Sequence, residues 1–215
     1  MEKTVNVYKN SKFEIKRLKL GPFSTNAYIV TCLKTGESIL IDAPAQAGVI
    51  EKELNDTNLR YLLLTHNHMD HIGALPDIQS KKFLLAAHPL DSKGLPCPVD
   101  VMLNDGDIVN FGQISVEVLH TPGHTRGSLC FKIGKALLAG DTIFDGGPGR
   151  TASPEAFQQI ILSLEKKIFV LPDDTSIFPG HGENTFLKKE KEEYRIFASR
   201  SHDPHLCGDV IWLQS

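Results

Sequence analysis

The chain has 215 residues, of which 41% are hydrophobic and 23% charged, and its formal net charge at pH 7 is −3. This composition is typical of one globular domain, which we expect to extend over residues 1–215. The small negative charge gives no electrostatic reason to expect a nucleic-acid partner, and no apolar run approaches the roughly 20 residues that would span a membrane.

The N-terminus and the cysteines predict the cellular location. Residues 1–6 lack the apolar core of a signal peptide. The cysteines are scattered, without a CxxC pair, at Cys32, Cys97, Cys130 and Cys207. Cys32 and Cys130 lie in apolar segments, where cysteine is usually a small core residue. We therefore expect free thiols and a cytoplasmic protein.

The first half of the chain combines predicted strands with one helix. Apolar runs bounded by turn residues predict strands over residues 13–20, 27–32, 38–42 and 60–64. Apolar side chains at helical spacing predict a helix over residues 45–55. Asp42 ends its strand just before Ala43 and Pro44, a position suited to an Asx turn.

The densest group of polar side chains follows the strand at residues 60–64. It contains His66, His68, Asp70 and His71. These groups cannot all be buried without partners, because an unsatisfied polar group costs roughly 2–7 kcal/mol. In an extended chain His66 and His68 point to the same side, while Asp70 and His71, carried around a turn, face a second point. The spacing predicts two adjacent metal positions, with a short helix beginning after them.

The second half continues with strands and helices. Strands are predicted over residues 83–87, 113–119, 128–133, 135–139 and 175–178, and helices over 153–168 and 183–199. The glycine-rich loop 145–151 lacks the Lys-Ser/Thr ending of a phosphate loop, so we interpret it as an active-site wall. Arg150 in this loop is either a ligand for an anionic part of a substrate or an ordinary surface arginine. Strands flanked by helices in both halves predict an α/β fold with two sheets face to face and helices outside, an αββα sandwich.

Three further ligand-type residues, His124, Asp141 and His181, each follow an apolar run and stand beside a glycine. Glycine allows the backbone to approach a metal closely. We therefore expect these strand ends to converge with the first cluster. His88 and His120 also follow strands. We interpret His88 as a residue of the rim or a loop histidine, and His120 as structural or as a support for a ligand.

The C-terminal tail, about residues 200–215, ends in an apolar cluster. It contains the single tryptophan, Trp212, within residues 210–213. An exposed patch of this kind would favour association. We expect the tail to dock on the domain or on a second subunit of a homodimer.

In chain order, His66-x-His68-x-Asp70-His71 followed by His124, Asp141 and His181 resembles the metallo-β-lactamase superfamily, over roughly residues 20–185. The glyoxalase II-like (hydroxyacylglutathione hydrolase-like) branch is the most similar. The resemblance implies the four-layer αββα fold and two divalent metal ions, zinc first, with iron or manganese as alternatives. It implies three sets of ligands: His66, His68 and His124 at one ion, Asp70, His71 and His181 at the other, and Asp141 bridging them. It also implies that Asp42 lies near the metals without binding them, where a carboxylate would orient a ligand histidine through its free ring N–H; the Asx turn is the alternative.

The same resemblance implies a binuclear hydrolase. A metal-activated hydroxide would attack a thioester of glutathione or a related small ester, while Asp70 holds the water and passes on its proton. Residues 182–215 are too few for the helical domain that helps to hold glutathione in that branch, so a lactone or another small ester stays open.

Two other functions are weighed against this one. A related branch holds one iron with two histidines and an aspartate, here His66, His124 and Asp141, and oxidises glutathione persulfide with dioxygen. The filled second position, His181 in Pro-Gly-His-Gly, favours the hydrolase instead. A non-catalytic binding module is the least favoured, because no ligand position is missing.

Overall fold

A computed structural model of the protein describes residues 4–78 and 82–215. Residues 1–3, the start of the N-terminal segment discussed above, lie outside the described residues, as do residues 79–81. The strands are β1 (Thr4–Lys9), β2 (Phe13–Leu20), β3 (Thr25–Cys32), β4 (Glu37–Ile41), β5 (Asn58–Leu63), β6 (Leu84–Ala87), β7 (Val101–Met102), β8 (Ile108–Phe111), β9 (Ile114–His120), β10 (Leu129–Ile133), β11 (Ala136–Gly140), β12 (Ile143–Phe144), β13 (Gly147–Pro148), β14 (Ser176–Pro179) and β15 (Thr185–Phe186). The helices are α1 (Ala47–Glu53), α2 (Met69–Ile72), α3 (Pro89–Ser92), α4 (Pro154–Ser163) and α5 (Leu187–Ala198).

In the described part of the chain, most strands belong to two large sheets. The first has the order β1-β2-β3-β4-β5-β6-β7, and the second has the order β15-β14-β11-β10-β9-β8. β4, β5, β6 and β7 are parallel to one another, and in the second sheet β11 is parallel to β14. The carboxyl ends of β4, β5, β9, β11 and β14 consequently meet at one edge of the molecule, which is where side chains from separate segments can converge.

Apolar clusters among the described residues hold four layers together. Side chains such as Ile15 and Phe131 form the core between the two sheets. Ile50 of α1 packs on the outer face of the first sheet. Ile160 of α4 and Leu187 of α5 pack on the outer face of the second. Burial of both faces of each sheet requires apolar residues at successive strand positions. The predicted αββα sandwich is confirmed.

Local structure near the site differs from the prediction in two ways. β5 ends at Leu63. The N–H of Thr65, two residues further on, donates to the Asp42 carboxylate over 2.8 Å and so does not continue the hydrogen bonds of the sheet. Residues 64–68 are therefore a loop, and Asp70 and His71 lie on α2 rather than in a turn that precedes a helix.

Two helices of the second half also begin or end differently. α5 starts at Leu187 rather than at residue 183, because Thr185 and Phe186 pair with β14 as a short edge strand. α4 starts as predicted, with Ser153 Oγ accepting from the amide of Ala156, and it continues after residue 163 as a π-helical turn, Leu164–Ile168.

The tail and the cysteines lie as follows. Val210 and Trp212 are buried in the apolar cluster under α4 and α5. Whether the tail also contacts a second subunit stays a prediction. Cys32 and Cys130 are buried, and within residues 4–78 and 82–215 no disulfide forms. No helix of the described chain is both long and apolar enough to cross a bilayer.

Candidate metal centre

The seven residues predicted as metal ligands come together where the strands end. Among the described residues, their ligand atoms form groups within which all atoms lie within 4.8 Å of one another: His66, His68 and His124; Asp70, His71 and His181; and His66, His71 and Asp141. The first two groups are the two predicted sets. The third brings Asp141 next to one member of each set, which is the location that a bridging ligand requires.

The ring of His66 is oriented by its neighbour Thr65. Thr65 Oγ1 donates to Asp42 Oδ2 over 2.7 Å and lies 2.9 Å from His66 Nδ1. Since the hydroxyl proton is used on the carboxylate, the hydroxyl oxygen accepts the Nδ1–H of His66. Nε2 of His66 is then an acceptor; it is buried and has no hydrogen-bond partner among the described residues.

His71 and His181 are oriented from the other side of the cluster. His71 Nδ1 donates to Asp42 Oδ2 over 2.8 Å, so in the neutral ring Nε2 carries the lone pair. That atom lies 3.3 Å from His181 Nε2 and 3.3 Å from Asp141 Oδ1. His181 Nδ1 in turn donates to the carbonyl oxygen of Phe23 over 3.3 Å.

His124 is oriented by the main chain of the glycine-rich loop. Its Nδ1 donates to the carbonyl oxygen of Arg150 over 2.8 Å. Its Nε2 is therefore an acceptor in the neutral ring, 2.9 Å from His68 Nδ1 and 3.6 Å from Asp141 Oδ2. Every orienting bond in the cluster thus turns a ring nitrogen with a lone pair toward the same space.

This arrangement fits metal ions. Histidine nitrogens with lone pairs lie 3.3–3.7 Å from carboxylate oxygens. These nitrogens and oxygens repel each other unless a cation or a proton lies between them. Asp141 Oδ1, like His66 Nε2, is buried without a hydrogen-bond partner in the part of the chain that the structure describes. Imidazole and carboxylate ligands suit zinc, iron or manganese, and the described residues that converge here include no thiolate.

The charges of the cluster are strongly coupled. Burial, reinforced by the charge of His71, holds the pKa of His66 well below its usual value. Burial also lowers the pKa of His71, but the Asp42 and Asp141 carboxylates outweigh it and raise this pKa to about 10. Burial raises the pKa of Asp141, yet His71, whose Nε2 lies 3.3 Å from Asp141 Oδ1, outweighs burial and lowers it. A proton on His71 and a metal ion at its Nε2 exclude each other.

Asp70 differs from Asp141 in its access to solvent. Its Oδ2 accepts a hydrogen bond from Thr25 Oγ1 over 3.0 Å and lies 3.1 Å from His181 Nε2. The side chain is 27% exposed, against 11% for Asp141. Asp70 borders a cavity of about 180 Å³ whose other walls include Phe23 and Met69. Asp70 therefore reaches both the cluster and an apolar opening.

A larger cavity lies on the side of His124. It has a volume of about 430 Å³, and its lining includes Arg126 and Gln159. The Arg150 side chain is 70% exposed and lies 3.5 Å from Asp209, so its predicted contact with substrate stays a prediction. His88 stacks on His120 with ring centroids 4.0 Å apart, and neither belongs to the ligand groups that the described residues form.

Several orienting groups were not predicted from the sequence. Thr65 stood within the motif, where a hydroxyl beside the first histidine was a usable signal. Thr25 lies in a strand remote from the motif and gave none. The carbonyl groups of Phe23 and Arg150 belong to the backbone, and no residue type reveals which carbonyl will meet a histidine.

Comparison with known proteins identifies the family. The sequence pattern of the Metallo-beta-lactamase superfamily matches residues 20–181. Hydroxyacylglutathione hydrolase GloC of Haemophilus influenzae is 31% identical, over 80% of this chain and 97% of that protein. The crystal structure of ETHE1 from Myxococcus xanthus is 29% identical with a TM-score of 0.73, over 87% of this chain and 85% of that one. The structure of TTHA1623 in a di-iron-bound form is 30% identical with a TM-score of 0.70, over 81% of this chain and 96% of that one. The chain belongs to the metallo-beta-lactamase superfamily, as its sequence predicted, and is an enzyme of that fold.

Proposed function

We propose that this member of the metallo-beta-lactamase superfamily is a hydrolase that cleaves a thioester. Glutathione thioesters are the first choice of substrate, and other small esters or lactones are the related choice. One observation carries the proposal: two complete ligand sets adjoin, with Asp141 between them. The name of the Haemophilus influenzae relative, hydroxyacylglutathione hydrolase, supports the choice of substrate.

The two sets would hold two divalent metal ions, with zinc first and iron or manganese as alternatives. The di-iron form of TTHA1623 supports a pair of ions and keeps iron open. Metal ions bound here would lower the pKa of a water molecule from about 15.7 toward about 7 and would polarise the carbonyl group of the substrate.

Asp70 is the residue that we assign to hold the attacking water and accept its proton. It faces the ligand cluster and the open cavity at once, and the Thr25 hydroxyl holds its carboxylate in place over 3.0 Å. Asp141 is a weaker candidate, because its side chain is only 11% exposed, against 27% for Asp70, and it lies beside a member of each ligand set, where its oxygens would be occupied by metal.

The two cavities suggest how a thioester would lie. The apolar cavity of about 180 Å³ beside Asp70 suits the acyl group, with Phe23 and Met69 as its walls. The cavity of about 430 Å³ beside His124 suits a larger, polar thiol carrier, because Arg126 offers a guanidinium and Gln159 an amide. The scissile carbonyl would then lie between them, at the ligand cluster.

A second candidate is oxidation of a persulfide with dioxygen at one iron. The observation in its favour is that His66, His124 and Asp141 also converge, with His124 Nε2 3.6 Å from Asp141 Oδ2. The hydrolase is preferred, because one ion would leave unused the complete second set of Asp70, His71 and His181.

The first experiment is the metal content per chain, measured by plasma mass spectrometry on protein expressed without added metal. About two ions per chain, together with hydrolysis of a glutathione thioester in a panel that also holds a simple thioester and a lactone, supports the proposal. A single iron per chain, with oxygen consumed in the presence of a persulfide, supports the second candidate and contradicts the first.

A further inference from the structure

The last residues of the chain run alongside the glycine-rich loop. Thr151 N–H donates to the Gly208 carbonyl over 3.2 Å, and Gly208 N–H donates to the Thr151 carbonyl over 2.9 Å. Trp212 N–H donates to the Gly146 carbonyl over 2.8 Å. Between these bonds the two backbones touch, since a Cβ on Gly147 would overlap the carbonyl oxygen of Val210. Residues 208–212, the tail segment, therefore cover the outer side of loop 146–151.

The tail segment is anchored in the core. Trp212 is fully buried, and its ring centroid lies 5.2 Å from that of Tyr194 and 5.1 Å from that of Phe197, both on α5. Val210 is buried in the same apolar cluster. α5 therefore anchors the tail segment in addition to its hydrogen bonds with the loop.

The opposite side of the loop meets the ligands. A Cβ on Gly149 would overlap the main-chain oxygen of Asp141, which leaves the loop no room to move inward. The next residue, Arg150, supplies the carbonyl oxygen that accepts the Nδ1–H of His124. Because Thr151, bonded to the tail, directly follows Arg150, a displacement of the tail segment would displace this carbonyl and turn the His124 ring.

The other ligand set is oriented without the tail. His71 is held by the Asp42 carboxylate, and His181 by the Phe23 carbonyl. Both partners belong to the first half of the chain, and among the residues that the structure describes no hydrogen bond joins that half to the tail segment. Release of the tail should therefore affect one ligand set and spare the other.

We propose that the C-terminal tail segment is a positioning element for the metal position formed by His66, His68 and His124. By holding loop 146–151 against the ligands, it fixes the Arg150 carbonyl and, through it, the direction of His124 Nε2. This role rests on the proposed function, because it presupposes that the cluster binds metal. It predicts that the two positions respond differently to changes in the tail.

Two glycine substitutions separate the tail from the loop, and the chain offers a matched control for each. Gly147→Ala places a methyl group on the Val210 carbonyl, while Gly48→Ala adds one where no atom lies within 4 Å. Gly208→Ala strains the backbone at a φ of +85°, and Gly36→Ala strains it at +70°, both without steric neighbours within 4 Å. The controls therefore reproduce the added methyl group and the strain at a distance from the site.

Each substitution is introduced into two parent chains and titrated with Zn²⁺ against a chelating indicator. The His181→Ala parent keeps the His66, His68 and His124 set, and the His68→Ala parent keeps the Asp70, His71 and His181 set. In the first parent we expect Gly147→Ala and Gly208→Ala to weaken Zn²⁺ binding about 10- to 100-fold, the usual effect of losing a partner that orients a ligand. In the second parent, and with either control, binding should be unchanged.

The outcomes are distinguishable. Unchanged Zn²⁺ binding by both tail variants in the His181→Ala parent would overturn the proposal, as would equal weakening in the two parents, which would indicate general destabilisation. If the unmodified chain binds no Zn²⁺, iron or manganese, the proposed function fails and the role of the tail fails with it. If the unmodified chain binds two ions and the tail variants do so equally well, only the role of the tail fails.

Discussion

Asp42 Oδ2 accepts a hydrogen bond from His71 Nδ1 over 2.8 Å, although 29 residues separate the two side chains. The same carboxylate accepts from the amide and the hydroxyl of Thr65, and that hydroxyl orients His66. One side chain at the end of β4 thus fixes two histidines of different ligand sets. Asp42 has a φ of 58°, a strained conformation for a residue with a side chain, and these buried hydrogen bonds hold it there.

Asp42→Asn tests this relationship. Asparagine has only one acceptor oxygen. With its nitrogen at the Oδ2 position it cannot accept from the Thr65 hydroxyl and His71 Nδ1–H, and with its nitrogen at the Oδ1 position it meets the Thr65 N–H, so in either orientation the bonds that hold the two rings are disturbed. We expect Zn²⁺ binding to weaken about 10- to 100-fold, as measured by competition with a chelator. The matched control is Asp100→Asn. The Asp100 carboxylate also accepts a hydrogen bond from a backbone amide, that of Leu85, over 2.8 Å, but it does not belong to the ligand cluster. Equal Zn²⁺ binding by the Asp42 variant and the control would contradict the orienting role.

His68→Ala should abolish hydrolysis and leave the fold largely intact. Its side chain is exposed, so little packing is lost, while its Nδ1, 2.9 Å from His124 Nε2, is one of the ligand atoms of the first set. The measurement is thioester hydrolysis together with metal content and circular dichroism. His205→Ala, another exposed histidine, serves as the control and should keep full activity. Full activity of the His68 variant in a sample of known metal content would contradict the binuclear mechanism.

The convergence of the seven candidate ligands could be predicted from the sequence, because their chemistry is carried by residue type and their location by the ends of apolar strands. His66, His124, Asp141 and His181 each follow such a strand in the structure as in the sequence. The backbone partners could not be predicted. The carbonyl of Arg150 orients His124 only because of the path that the loop takes, and every residue has a carbonyl.

The boundaries near the motif were wrong for a related reason. Propensity favours a strand through Leu64, but β5 ends at Leu63, because the Thr65 amide donates to the Asp42 side chain, a tertiary contact that local sequence does not encode. The tail posed a different difficulty. The apolar residues around Trp212 indicated that the tail packs against another apolar surface. Hydrophobicity alone does not tell whether that surface is α5 of the same chain, which Trp212 contacts in the structure, or a second subunit.

The affinity for metal at the Asp70, His71 and His181 set should rise with pH. Burial lowers the pKa of His71, but the Asp42 and Asp141 carboxylates raise it to about 10, so the metal-free ring is protonated at pH 7. Metal must displace that proton, and affinity should increase about tenfold per pH unit between pH 7 and pH 9. His66, whose pKa is lowered by burial, is neutral in this range and adds no proton.

This dependence can be measured in the His68→Ala variant, where the His66, His68 and His124 set is incomplete. Zn²⁺ titrations at three pH values, corrected for the hydrolysis of Zn²⁺ and the protonation of the indicator, give the slope. An affinity that is flat from pH 7 to pH 9 would show that His71 is already neutral without metal.

Gly180→Ala should lower activity without unfolding the protein. Gly180 directly precedes His181, and a Cβ there would overlap Asp141 Oδ1 and lie 2.6 Å from Cε1 of His71. The backbone conformation at Gly180 is open to alanine, since its φ is not among the positive values. The methyl group must therefore push Asp141 away from its location between the two ligand sets, and we expect both a loss of at least one metal ion per chain and a fall in hydrolysis of about 10- to 100-fold. Gly48→Ala adds the same methyl group to α1 and should change neither quantity. A Gly180→Ala chain that keeps two ions and full activity would show that Asp141 need not lie between the two ligand sets.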